Sequence, residues 1–262
     1  MDLHTLFLSI IQSITEFLPV SSSGHLILTR DVMGWKDGSG ITLDIALHIG
    51  TLLAVCVYFY KDLLEMIKSL FKKGKQSRLV ALLALAAFPV LIFGFFFAKH
   101  IEYLFRNSYV ICVMLMVFGI FLWLADKRSL SNKRMEQMSF KDAFFIGVAQ
   151  CMALVPAVSR SGVTMTAARL RGINRSDAAH FSMLLSIPTI GAVGGWLILQ
   201  LFMEKRLDQI NVQFFQGILF SFVGGMLVIC FLMNFVKKNS FFAFMVYRFI
   251  LGIAILTFLF LN

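Results

Sequence analysis

Charge is scarce in this chain. Only 15% of its 262 residues are Asp, Glu, Lys or Arg, against about 25% in an average soluble domain. The apolar share is 59% and mean hydropathy is +0.83, so a disordered chain and an ordinary cytosolic enzyme are excluded. Cysteine is scarce too. Cys56, Cys112, Cys151 and Cys230 stand in separate apolar stretches with no CxxC spacing, which excludes a disulfide scaffold and a zinc or redox motif. They read as buried packing residues. Acids number 14 against 24 bases, for a net charge of +10. Such an excess can mark nucleic-acid binding. Here the bases lie between long apolar runs, so it reads as membrane topology with no nucleic-acid partner.

A bilayer core of about 30 Å needs roughly 17–25 apolar residues as helix. Six segments qualify: about 42–60, 79–98, 108–125, 177–203, 212–236 and 241–261. Two others fall short. Segment 5–18 is cut off by Pro19 and Ser21-Ser22-Ser23-Gly24, and segment 144–155 by Pro156 and Ser159-Arg160-Ser161-Gly162. Each is followed by a second short apolar arm, 26–33 and 163–170. With no Lys or Arg in Met1-Asp2-Leu3-His4, the first segment does not read as a signal peptide. Two short helices joined by a Pro/Ser/Gly turn read instead as a re-entrant hairpin, whose irregular backbone must be buried in protein or line a wet cavity.

The hairpins resemble each other. Gln12 precedes Ser21-Ser22-Ser23-Gly24 by the interval that separates Gln150 from Ser159-Arg160-Ser161-Gly162, an offset of 138 residues. Asp44 with His48, and Asp177 with His180, continue the pattern loosely. The expected fold is an all-α integral membrane protein: six transmembrane helices plus two re-entrant hairpins, arranged as an inverted-topology repeat. It forms one membrane domain over 1–262. Repeat 1 spans about 1–125 with its hairpin at 5–33, and repeat 2 about 140–262 with its hairpin at 144–170. Broken helices at matching positions of inverted repeats point to a midplane binding site.

Charge orients this topology. Sixteen bases fall on the face that carries the loop 61–78, and six (Arg30, Lys36, Lys99, Arg106, Lys205 and Arg206) on the other. The positive-inside rule makes the first face cytoplasmic and puts both termini outside. The remaining two, Arg160 and Arg248, lie in no loop between spans.

Ser9, Gln12 and Glu16 fall at i, i+3 and i+7, a polar stripe on an apolar helix. An acid inside a membrane segment marks a functional site by default. Next come Pro19-Val20-Ser21-Ser22-Ser23-Gly24-His25; proline stops one helix and the serines cap the next. Both turns offer helix N-termini and hydroxyls suited to an anion. Arg160 adds a planar fork for phosphate.

Gln12-Ser13-Ile14-Thr15-Glu16 matches an (E/Q)xxxE element, and 15–25, T-E-F-L-P-V-S-S-S-G-H, follows without a gap. Pro156-Ala157-Val158-Ser159-Arg160-Ser161-Gly162 resembles PGxSRSG, and Tyr247-Arg248 stands near the end. On these residues the chain resembles, over essentially its whole length, the bacitracin-resistance BacA/UppP family of undecaprenyl-diphosphate phosphatases. The resemblance implies a multi-pass enzyme of the bacterial inner membrane that removes one phosphate from a polyprenyl diphosphate lipid. The product is the carrier reused in cell-wall synthesis. It implies catalytic roles for Glu16, Ser22, His25 and Arg160, and a divalent metal, Mg²⁺ or Ca²⁺, with Glu16 and Gln12 as the candidate ligands. It also implies a site opening to the outer side. Gln12, Ser21, Ser23, Ser159, Ser161 and Thr164 are candidate substrate contacts. Gln12 stands where many members carry a second Glu, and Ala157 replaces the Gly of PGxSRSG.

The expected chemistry is phosphoanhydride hydrolysis between the hairpin tips, with Arg160, the helix N-termini and a Glu16-associated cation neutralising the transferring phosphoryl group. Ser22, His25 and an activated water are the candidates for nucleophile, and His25 for general acid or base. Membrane lipids surround the protein, and a homodimer is compatible with this reading. The alternative is a secondary transporter or flippase for an anionic lipid or solute using the same midplane site. A channel is disfavoured because no filter repeat is visible. His48 and His180 read as hydrogen-bonded packing residues, and Asp44 and Asp177 as helix caps. Gly191, Gly194, Gly195, Gly224 and Gly225 read as points of close helix approach. Arg248 needs a partner, either a carboxylate such as Asp44 or Asp177 or backbone carbonyls.

Overall fold

The computed structural model describes residues 3–35, 40–71, 75–129, 132–204 and 210–261. Lys36, Lys72, Lys73, Lys205 and Arg206, counted above for topology, lie outside them. Among the described residues the chain is helical with no strand. Helices α1 (Leu3–Phe17) and α2 (Ser22–Met33) are followed by α3 (Gly40–Tyr58), α4 (Tyr60–Phe71), α5 (Lys75–Phe105) and α6 (Ser108–Arg128). The second half holds α7 (Phe140–Gln150), α8 (Arg160–Leu170), α9 (Arg175–Met203), α10 (Val212–Lys238) and α11 (Phe242–Leu261).

Local sequence sets these boundaries. Asn107, Asn174 and Asn211 cap α6, α9 and α10 through their side-chain oxygens, satisfying amides that no helical carbonyl can reach. Ser139 and Asp142 form a reciprocal capping box at α7. Lys127 and Arg128 close α6, and Lys237 and Lys238 close α10, where the negative end of the helix dipole favours bases.

Among the described residues, five helices, α5, α6, α9, α10 and α11, are long and apolar enough to cross a membrane. The sixth expected span, 42–60, qualifies only as a bent pair: Thr42–Tyr58 meets α4 at 76°. The expected loop 61–78 is therefore largely helix. Leu64, Ile67 and Leu70 are exposed along α4, while Asp62, Glu65 and Lys68 fill its other positions; the pattern is amphipathic and needs no loop. The second arms also begin earlier than expected, at Ser22 and Arg160, because the serine caps recruit the residues after them into the helix.

Helices α1 and α2 fold back on each other, with the His4 and Trp35 rings stacked 4.3 Å apart at the open end. α1 packs on α10 and α7 on α5, while α2 and α8 both lie against α6. α3 packs on α10 and α9, and α6 on α11. The main core runs through Phe17, Ala54, Leu82, Ile146, Phe181 and Leu232.

Four of the sixteen bases pair with two buried aspartates. Arg169 and Arg175 both bond Asp126, and Lys133 and Arg171 both bond Asp142. Each carboxylate is almost fully buried. Burial opposes ionisation of Asp142, but Lys133, the Ser139 amide and Arg171 outweigh it and hold the carboxyl well below the usual carboxylate range.

Three sequence expectations are corrected. Only Cys112 is buried; Cys56 and Cys151 are half-buried and Cys230 is exposed, as an apolar thiol facing lipid can be. Gly224 and Gly225 are close-approach points, against Ser13 and against Ala54 and Phe17. A Cβ placed on Gly194 or Gly195 would meet no other described element within 4 Å, and one on Gly191 only Leu52 at 3.9 Å, so none of the three marks a tight helix crossing. Asp177 does accept the Met135 amide and an Asn174 side-chain hydrogen at the α9 start. Asp44, instead of capping α3, takes a two-pronged salt bridge from Arg30 at 2.6 and 3.0 Å.

Candidate active site

The two hairpin turns carry every non-glycine residue with positive φ among the described residues: Ser21 at 77°, Ala157 at 71° and Ser159 at 71°. The left-handed region costs an L-residue about 1–2 kcal/mol, so each turn must be held from outside. Ser21 and Ser159 do part of this locally. Their hydroxyls accept the amides of Gly24 and Gly162, at 3.4 and 3.1 Å.

Arg248 does the rest. It is fully buried and its guanidinium donates to the carbonyls of Pro19 in one turn, and Ala157 and Val158 in the other. Its Nε donates to Leu115 in α6 at 2.7 Å. Of the two kinds of partner expected for Arg248, the backbone carbonyls are the ones found. Ser161 adds a second tie, donating to Leu18 at 3.0 Å.

Glu16 lies in the last turn of α1 at this junction and is 7% exposed. Arg160 donates to its Oε1 at 2.9 Å, the Ser22 hydroxyl to Oε2 at 2.6 Å, and Gln12 Nε2 to Oε2 at 3.1 Å. One carboxylate thus joins the stripe of the first hairpin to its own serine turn and to the arginine of the second. His48 Nε2 lies 3.9 Å from Oε2. Its Nδ1 donates to the Asp44 carbonyl at 2.8 Å, which fixes the ring with Nε2 toward Glu16. His48 therefore borders the site and is only half-buried, a correction to its reading as packing. His180 does pack, stacking on Phe59 with Nε2 3.4 Å from Asp62.

His25 is placed differently. Its Nδ1 donates to the Ser21 carbonyl at 2.7 Å, and its Nε2 accepts from the Tyr247 hydroxyl at 2.8 Å, with the two rings stacked. It is next to the turn but bonded to neither Glu16 nor Ser22. The remaining expected contacts are mostly committed internally. Ser159 and Ser161 share a hydrogen bond, as do Ser21 and Ser23, and Thr164 bonds Ser182 at 2.7 Å. Ser21, Ser159, Ser161 and Thr164 are buried, Ser22 half-buried and Ser23 exposed.

Gln12 bears on cation binding. It is fully buried, and its Oε1 has no hydrogen-bond partner among the described residues. An orphaned carbonyl oxygen beside a carboxylate is costly unless something positive faces it. The described residues hold no cluster of three or more His, Cys, Asp or Glu suited to a metal. The Gln12 oxygen, the Glu16 carboxylate and the Ser22 hydroxyl are nonetheless the hard oxygen donors that Mg²⁺ or Ca²⁺ accepts, in the small number typical when substrate phosphates complete the shell.

Sequence reasoning missed His48, Ser182 and the Tyr247 contact to His25. Asp44-x-x-x-His48, with its acid and imidazole one helical turn apart, was the one available signal; the others depend on helices brought together only by folding.

Comparison with known proteins gives matches over nearly the whole chain. The family described as bacitracin resistance protein BacA matches residues 5–254. Undecaprenyl-diphosphatase of Saccharophagus degradans is 42% identical over 257 residues, covering 95% of each chain. Undecaprenyl-diphosphatase of Teredinibacter turnerae is 41% identical over 261 residues, 97% of this chain and 98% of its own. The protein of the same name from Moorella thermoacetica is 39% identical over 252 residues, 95% of each.

Proposed function

The chain belongs to the bacitracin resistance protein BacA family, and we propose from this premise how its site works. The protein is an undecaprenyl-diphosphatase, a membrane enzyme. It hydrolyses undecaprenyl diphosphate to undecaprenyl phosphate and inorganic phosphate, which recycles the lipid carrier for peptidoglycan synthesis and confers bacitracin resistance. The observation that carries the mechanism is Glu16 bonded at once to Ser22 and Arg160.

Ser22 is the nucleophile in our reading, since its hydroxyl already donates to a carboxylate that can take the proton. Oγ attacks the terminal phosphorus and its proton passes to Glu16. The bond from that phosphorus to the bridging oxygen breaks, and the prenyl phosphate leaves with the electron pair. Water then attacks the phosphoserine, the bond to Oγ breaks, Glu16 returns its proton to Ser22, and inorganic phosphate leaves. Arg160 and the N-termini of α2 and α8 hold the phosphoryl oxygens throughout. Ser22 and Ser23 contact the diphosphate, while Ser21, Ser159, Ser161 and Thr164 shape the turns. His25, with both ring nitrogens engaged, positions the Ser21 turn. A divalent cation held by Gln12 and Glu16 would neutralise charge on the diphosphate.

The finer architecture belongs to the same reading. The two hairpins are re-entrant and head an inverted repeat; the reciprocal packing of α1 on α10 and α7 on α5 supports it. The enzyme sits in the bacterial inner membrane with both termini outside and the site opening outward.

The test is phosphate release from undecaprenyl diphosphate by the purified protein. Glu16→Gln and Arg160→Ala should each lower turnover by about 10²–10³ or more, the scale seen when one charge-stabilising group is removed. Near-normal release by either folded variant would overturn the assignment.

A further inference from the structure

A groove of about 200 Å³ lies where α2 and α11 meet beside α1. His25, Leu28, Thr29 and Val32 line it from α2, and Leu251 and Ile255 from α11. On α2 these positions recur at three, four and seven, and on α11 at four, so each set is one face of its helix. The lining is apolar except for Thr29 and the inner end. At that end His25 bonds the Ser21 carbonyl and the hydroxyl of Tyr247, one turn before Leu251 on the same face.

The outer end is fixed as well. The Ser108 hydroxyl donates to Asp31, and the Tyr109 hydroxyl to the carbonyl of Leu259. The start of α6 therefore gathers the far ends of α2 and α11 on one side. The groove leads from the serine turn to that side and opens along the way.

We propose that this groove holds the first isoprenoid units of the substrate's tail. The proposal rests on the catalytic reading above. Ser22, His25 and Thr29 fall at i, i+3 and i+7, on one face of α2. A diphosphate engaged at Ser22 and Arg160 thus meets this wall where its polar head ends. From His25 to Val32 the helix rises about 10 Å. A four-bond isoprene repeat spans about 5 Å by the bond lengths that give about 3.8 Å for three bonds of backbone. About two units fit, and the rest of the chain lies in lipid. Lipid is as apolar as leucine, so the groove gains little by transfer. It orients the tail, and the effect falls on kcat/KM.

The experiment uses the full-length protein in detergent, with dimethylallyl (C5), farnesyl (C15) and undecaprenyl (C55) diphosphates. Wild-type kcat/KM should rise about tenfold or more from C5 to C15, then stay within about threefold to C55. Val32→Trp and Ile255→Trp, filling the groove from opposite walls, should each lower kcat/KM on C15 and C55 about tenfold and leave C5 unchanged. A farnesyl diphosphate analogue carrying a photoreactive diazirine on its second isoprene unit should label α2 and α11. The proposal is overturned if the folded tryptophan variants act on C15 like wild type, if kcat/KM keeps climbing tenfold beyond C15, or if the label falls on other helices. If wild type releases no phosphate from any of the three, the catalytic reading itself fails, which is a separate outcome.

Discussion

Ser21 and Ser159, 138 residues apart, hold one backbone conformation, with φ 77° and ψ 101° in the first and φ 71° and ψ 111° in the second. Each caps the helix that follows by accepting the amide of a glycine three residues on. Sparsely populated backbone of this kind persists only where its surroundings over-determine it, at about 1–3 kcal/mol per residue. Here the surroundings are largely one side chain, Arg248, bonded to carbonyls of both turns. The strain holds two helix N-termini and Arg160 around Glu16.

Substitution at Ser159 should separate the cap from the strain. Ser159→Ala keeps the left-handed backbone and loses the bond to Gly162, so it should cost about 1 kcal/mol. Ser159→Gly loses the same bond but relieves the strain, and should be close to neutral. Thermal unfolding in detergent measures both; equal losses would show that positive φ carries no cost here.

Ala157 stands where the resembled motif has glycine, yet its φ is 71°. Ala157→Gly should stabilise by about 0.5–1 kcal/mol, the left-handed penalty less the entropy of glycine. That corresponds to a rise of roughly 1–3 °C for a chain of this size. A lower melting temperature would mean that the Ala157 methyl, packed against Gly24, outweighs the strain.

Gln12 gives a prediction about metal. A chelator should abolish phosphate release, and Mg²⁺ or Ca²⁺ should restore it. Gln12→Glu replaces the orphaned amide oxygen with a charge, and should lower the cation concentration for half-maximal activity about tenfold. Activity that ignores the chelator, or an unchanged cation requirement, would remove Gln12 and Glu16 from cation binding.

Asp142 sets an acid limb. Its carboxyl is held below the ordinary value by Lys133, Ser139 and Arg171 against the opposing effect of burial. The folded state therefore binds its proton more weakly than the unfolded one. Its contribution is complete above the unfolded pKa of about 3.9 and is lost as pH falls from there toward the depressed folded value. Asp142→Asn should destabilise by about 2 kcal/mol at pH 7. Its melting temperature should approach that of wild type as pH falls below about 4; a constant difference down to pH 2 would contradict this.

Composition alone placed this chain in a membrane, because 59% apolar residues in long runs have no other stable solvent. The breaks at Pro19 and Pro156, the matching Ser/Gly turns, and Glu16 and Arg160 were legible for the same reason: each violates the apolar rule locally. Helix ends were less legible, since capping depends on which hydroxyl meets which amide, and α4 was hidden by charges that serve one face of a helix as well as a loop. What only the tertiary structure decided is partnership. Arg248 could have faced a carboxylate or carbonyls, and folding gave it the carbonyls of both turns. His25 read as a catalytic candidate and His48 as packing, and folding set His48 beside Glu16 and His25 against Tyr247. Spacing along one helix fixes a face, but the neighbour of that face comes from another helix, more than a hundred positions away for Glu16 with Arg160 and for His25 with Tyr247.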